Sequence, residues 1–150
     1  MKTKFLLFNL TSLLLCFLLI SSCTQEDDTQ LINTQSNLSD GTWKITKFID
    51  SGEDETSDFS GYTFTFKSNG DLIASNGSQT YTGTWGIVDN NSSDDSQDDL
   101  ELNINFMLTN DFEDLNDDWD FISNTDDDIL ELVDVSGGNG GTDYLTFEKK

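Results

Sequence analysis

The side chains best suited to covalent chemistry in this 150-residue chain are two cysteines, Cys16 and Cys23, and both fall in its first 23 residues. There is no histidine and no arginine. Without histidine or a retained thiol, the usual nucleophile–base pairs cannot be built. Paired carboxylates can hydrolyse glycosides, but 29 acids supply so many pairs that their abundance carries no information. A working acid also needs a buried site that raises its pKa. The expectation is that the protein is not an enzyme and has no catalytic residues.

Two non-catalytic chemistries fit the remaining residue types. Carboxylates crowd three stretches: Asp89, Asp94, Asp95, Asp98 and Asp99; Asp117, Asp118 and Asp120; Asp126, Asp127 and Asp128. Hard oxygen ligands suit Ca²⁺, and nothing suits zinc. No stretch has the Asp-x-Asx-x-Asx-Gly spacing of an EF-hand. The run from Gly137 to Asp143 approaches a calcium nonapeptide, with its acid one position late and in a single copy. Solvated turns are the plainer reading, so no cofactor and no metal site is assigned. The second chemistry is an aromatic pocket. Trp43, Tyr62, Phe64, Phe66, Tyr81, Trp85, Phe106, Trp119 and Phe121 recur on alternating positions and would share one face. Such rings offer stacking area for a small apolar or aromatic ligand, or they simply form a core.

Something must position those rings, and the chain divides into three parts. Lys2 and Lys4 precede an apolar run over residues 5–20, broken by Asn9, Thr11 and Ser12. A spanning helix needs roughly 20 apolar residues, so residues 1–22 read as an export signal. The exit Ser21-Ser22-Cys23 resembles a lipobox, where bacterial lipoproteins are cut before a cysteine that carries lipid. Cys16 follows Leu13-Leu14-Leu15 and lacks the small residues. The resemblance implies lipidation of Cys23 with three acyl chains, enough for stable membrane anchoring. A secreted protein with a coincidental cysteine is the alternative. The cluster Thr24-Gln25-Glu26-Asp27-Asp28 resembles the export signal of Bacteroidota surface lipoproteins. That implies an outer-membrane, lipid-anchored, surface-exposed location; as plain chemistry it is a solvated acidic linker. Residues 23–38 have little apolar content and no periodicity, which predicts a flexible tether.

Loss of residues 1–22 removes two lysines and no acids, leaving five lysines against 29 acids, a net charge of −24. A nucleic-acid partner needs a cationic footprint, and none exists. Such charge favours basic partners or cations. A monomer is expected.

Residues 39–150 suit one domain. Period-2 alternation predicts strands over 42–49, 62–67, 71–75, 79–88, 100–108, 118–123, 128–135 and 144–148. Asn69-Gly70 and Asn76-Gly77 are hairpin turn signals. Phe112 and Leu115 share i, i+3 spacing in a helical turn over 110–116. An all-β fold follows: an antiparallel up-and-down eight-stranded β-barrel, with a β-sandwich as the alternative.

Gly41-Thr42-Trp43 at the head of the first strand resembles the Gly-x-Trp signature of lipocalins. With Tyr62-Thr63-Phe64-Thr65-Phe66, Asn69-Gly70-Asp71 and Gly83-Thr84-Trp85, the chain is similar to short lipocalin-like lipoproteins of Bacteroidota over residues 38–150. The resemblance implies that Trp43 packs across the closed end of a barrel. Lipocalins usually stack a late arginine on that tryptophan and add a helix after the barrel; this chain has no arginine, and no such helix fits before Lys150. A small-ligand binder and a protein-interaction lipoprotein, of accessory or immunity type with an acidic face, both remain open.

Overall fold

The computed structural model describes residues 27–89, 100–136 and 141–150. The signal, Cys23 with residues 24–26, the acidic loop 90–99 and the glycine loop 137–140 lie outside them.

A helix, α1 (Asp27–Ser39), leads into nine strands: β1 (Trp43–Asp50), β2 (Glu53–Asp54), β3 (Thr63–Phe66), β4 (Asp71–Ser75), β5 (Thr80–Asp89), β6 (Leu100–Asn105), β7 (Asp117–Asp126), β8 (Ile129–Ser136) and β9 (Gly141–Lys149). Eight of them run in meander order, each antiparallel to the last. Pairing of β1 with β9, from Trp43↔Lys149 to Ile49↔Tyr144, closes the sheet into a barrel. That closure decides against the sandwich, whose two sheets would leave β1 and β9 as edges. The two-residue β2 is an extra strand paired to the end of β1.

Alternation explains the barrel. One face of each strand is buried, as in β3 (Phe64, Phe66), β4 (Leu72, Ala74) and β6 (Leu100, Leu102, Ile104). Gly70 and Gly77 take positive φ in the two predicted hairpin turns, where a side chain would be strained. Asn76 Oδ1 fastens the second by accepting from the Gln79 N–H at 2.8 Å.

Three local departures from the sequence reading have physical causes. The stretch expected to be a coil is helical over Asp27–Ser39. Its weak apolar pattern conceals one anchor, Leu38, which is buried under the barrel end while Leu31 packs beside it. The Asn37 side-chain amide also donates to Asp127 O at 3.1 Å, so the domain begins inside the expected tether. Next, β6 stops at Asn105 instead of continuing to residue 108. The Asn116 side chain clamps both backbone groups of Phe106 where a strand partner would be. Finally, residues 51–61 hold β2 and a 3₁₀ turn, Thr56–Phe59, in place of a plain loop. The Thr56 hydroxyl accepts from the Phe48 N–H at 2.8 Å and fixes that turn to β1. The expected turn near Phe112 is a 3₁₀ helix, Asp111–Leu115, with Phe112 and Leu115 buried.

Candidate functional site

The barrel interior brings the nine candidate aromatics together. Trp43, Tyr62, Phe64, Phe66, Trp85, Phe106, Trp119 and Phe121 are buried, and Tyr81 packs against them partly covered. Among the described residues they meet one another. Phe66 lies edge-on to Trp85 at 5.3 Å and to Trp43 at 6.4 Å. Phe147 of β9 contacts both Phe64 (5.3 Å) and Phe66 (5.5 Å) across the interior. Trp119 meets Phe48 at 6.3 Å. Edge-to-face geometry at these separations is favourable beyond its buried area. Phe64 and Phe66 are 0 % exposed, so a water molecule reaches neither ring from outside or from an interior void.

Phe112 is the ring that closes the upper mouth, where β1 ends. It sits 4.7 Å from Tyr81, 5.0 Å from Tyr62, 5.0 Å from Phe106 and 5.4 Å from Phe59. Its i, i+3 spacing with Leu115 marked it as a turn residue, and that spacing was the available signal for its burial. Tyr62 donates to Gln79 Oε1 at 3.1 Å, and desolvation followed by the adjacent Tyr81 raises its phenol pKa.

The lower end is plugged. Trp43 lies across it, and its indole N–H donates to Leu38 O at 3.0 Å. Lys149 Nζ stands 5.4 Å from the Trp43 ring centroid, over the ring. It also donates to Asn37 Oδ1 at 3.0 Å and pairs with Asp40 at 3.7 Å. A lysine therefore supplies the cation over this ring in a chain that has no arginine. The other indoles act alike: Trp85 donates to Lys67 O (2.9 Å) and Trp119 to Leu115 O (3.1 Å). Each buries its rings and satisfies its one donor on a backbone carbonyl.

Eight strands enclose an interior that side chains just fill, and the closed meander with Trp43 across one end fits a lipocalin-like fold. No protein-family model matches the chain, and no curated protein matches it. Among solved structures, a DUF4847 family protein from Bacteroides vulgatus ATCC 8482 is similar at 21% identity and a TM-score of 0.47, covering 77% of this chain and 96% of its own. The barrel assignment rests on the strand pairings of the chain itself.

The upper rim is acidic. Loop 50–62 carries Asp50, Glu53, Asp54, Glu55 and Asp58, and segment 106–117 carries Asp111, Glu113, Asp114 and Asp117, with no lysine in either. The two loops feel each other. Desolvation raises the Glu55 pKa first, then repulsion from Asp50 and Asp114; desolvation likewise raises Asp114, then Asp50 and Asp111. Desolvation also raises Asp117, with Asp134 and Asp143 adding to it. Among the described residues, no group of three or more His, Cys, Asp or Glu is placed to hold a metal ion. That covers Asp117, Asp118, Asp127 and Asp128; Asp94, Asp95, Asp98 and Asp99 lie outside the described residues.

Proposed function

We propose that this chain is a lipid-anchored, surface-exposed outer-membrane protein that does no chemistry and works by contact, presenting its acidic rim to a basic partner. One observation carries the choice between cargo and contact: the interior aromatics cover one another, down to rings with no reachable surface. A small apolar ligand, the other reading of the sequence, would have to displace packed rings to use these nine side chains. The rim supports the contact reading, because carboxylates that raise one another's pKa are relieved by an approaching cation. The lipobox-like exit at Cys23 supports the anchor. Helix α1 joins the end marked by Trp43, so an anchor at Cys23 leaves the acidic rim at the far end.

Native mass spectrometry of the protein extracted from its host membrane tests this. The expected species is a polypeptide beginning at Cys23, heavier by three acyl chains and carrying no other small molecule. A hydrophobic or aromatic molecule that stays bound after the acyl chains are removed would overturn the contact reading. An unacylated mature mass would overturn the anchor.

A further inference from the structure

One large apolar side chain at the acidic end is left outside the packing. Met107 is 93 % exposed, more than any other large hydrophobic among the described residues. The next is Val135 at 64 %, on the wall strand β8. Segment 106–117 otherwise hides its apolar residues: Phe106, Phe112 and Leu115 are buried, and Leu108 packs against the core. In the sequence Met107 continues the outward series Glu101, Asn103 and Asn105, and it is the one apolar member of that series.

A lone exposed apolar residue is ordinary on a protein surface, but this one is held in place. The Asn116 side chain bonds both backbone groups of Phe106. The Leu108 N–H donates to Phe106 O at 2.9 Å, an i→i+2 bond that closes a three-residue turn with Met107 at its apex. The backbone on both sides of Met107 is thus anchored while its side chain lies in solvent. Ordering the turn beforehand removes part of the usual cost of fixing a loop on binding. Methionine is enriched at protein interfaces, and its unbranched thioether adapts to irregular surfaces. Asp111, Glu113 and Asp114 follow within seven residues, on the 3₁₀ helix at the mouth, and Asp117 opens β7 beside the clamping Asn116. An apolar tip among carboxylates is the complement of an apolar socket bordered by cations.

We propose that Met107 is the apolar anchor of the acidic contact, and that the partner is a protein surface with an apolar socket bordered by lysine or arginine. The inference rests on the contact proposed above and adds what charge alone lacks. Electrostatics steers any basic surface toward the rim and sets its orientation; a buried apolar anchor selects among such surfaces. Full burial of a methionine side chain corresponds to roughly tenfold or more in affinity.

The test uses residues 23–150 with Cys23→Ser in place of the lipid, a stretch in which Met107 is the only methionine. A ¹³C-methyl label on methionine then reports this one side chain by NMR. Two end-blocked peptides of equal charge are titrated at low salt, each with three lysines on either side of a central Ser-Ser-Ser or Leu-Trp-Leu. The apolar peptide should bind at least fivefold tighter and move the Met107 methyl signal saturably. Met107→Ser should erase that advantage and leave the affinity of the serine peptide unchanged, whereas Met107→Leu should keep it. Val135→Ser, which removes the next most exposed apolar side chain, should change neither affinity. Binding of neither peptide would overturn the acidic contact and the anchor with it. Equal binding of both, or an advantage that survives Met107→Ser or is lost equally in Val135→Ser, would overturn the anchor and leave the acidic contact standing.

Discussion

Two glycines three residues apart on β5 offer a direct measurement of how full the barrel is. Gly83 pairs with Leu72 and faces inward; Gly86 pairs with Asn103 and faces outward. Neither has a positive φ, so alanine gives each the same backbone benefit, about 0.5–1 kcal/mol over glycine in a strand. Their surroundings differ. A Cβ at Gly83 would come within 2.5 Å of the Asn105 carbonyl oxygen and 2.7 Å of the Phe106 ring, whereas one at Gly86 meets nothing within 4 Å. Overpacking a tight core costs about 1–3 kcal/mol. The upper end applies at Gly83, since both a backbone carbonyl and a buried ring must move. Gly83→Ala should therefore lose about 2 kcal/mol net, and Gly86→Ala should gain about 0.5 kcal/mol. For a domain of about 110 residues the loss corresponds to a Tm lower by roughly 8 °C. Urea unfolding followed by tryptophan fluorescence, with m-values compared, reads the difference. Phe106→Leu added to Gly83→Ala should recover part of the loss by giving the methyl room. Stabilities within 0.5 kcal/mol of each other for the two alanine variants would refute the tight approach of β5 and Phe106, and with it the filled interior.

Three further outcomes follow from the same packing and charge. Phe112→Ala should cost about 3–5 kcal/mol and leave a ring-sized void; toluene should then raise the Tm of the variant and not of the parent, and a parent raised equally would show a pre-existing cavity. Lys149→Ala should cost about 1–2 kcal/mol through the lost ring contact and hydrogen bond, while Lys149→Arg should retain most of it; equal losses in thermal melts would rule out the cation–ring contact. Glu55, Asp114, Asp117 and Asp120 have raised pKa values, by desolvation first and neighbouring carboxylates next, so the folded state binds protons more readily than the unfolded chain just above the ordinary carboxyl range of about 4. Stability should rise as pH falls from 7.5 to 5 and be lost as pH climbs through the raised values. Asp54, lowered by its hydrogen bonds to Thr56, opposes this only at lower pH. The Tm gain at pH 5 should shrink in 0.5 M NaCl, and a Tm flat with pH at low salt would contradict the sign.

The barrel was legible because each strand buries a single face, so alternation alone located eight strands and the Asn-Gly turns set two of their connections. What escaped had no periodic signature. Helix α1 hangs on Leu38, whose carbonyl takes the Trp43 indole N–H, and on Asn37, whose partner Asp127 lies 90 residues away. The fold of residues 51–61 depends on a hydroxyl of Thr56 reaching the backbone of Phe48. The early end of β6 depends on the amide of Asn116. These are side-chain-to-backbone bonds, and sequence pattern registers faces, not such contacts. The candidate site divides the same way. Alternation showed that the nine aromatics point inward. It did not show that Phe64 and Phe66 would meet Phe147 across the barrel, or that Phe112 would close its mouth, because those contacts join strands far apart in order.

That distinction changes the meaning of the charge. A small domain needs a net charge of magnitude about 2–8 for solubility, and this chain carries −22. The excess opposes folding, since desolvation and then repulsion from neighbouring carboxylates disfavour the charged forms of Glu55 and Asp114. In a barrel with a hollow interior, function would reside inside and the acids would be a solvating coat. With the interior filled, surface chemistry is where specificity can reside, and the surface is not uniform. Acids crowd loops 50–62 and 106–117 of the upper mouth, with Lys47 acting on Asp54 beside them, and Lys149 is held at the lower end by Trp43, Asn37 and Asp40. A coat that served solubility alone would not need acids crowded closely enough to raise one another's pKa. This arrangement agrees with the proposed contact through the acidic end.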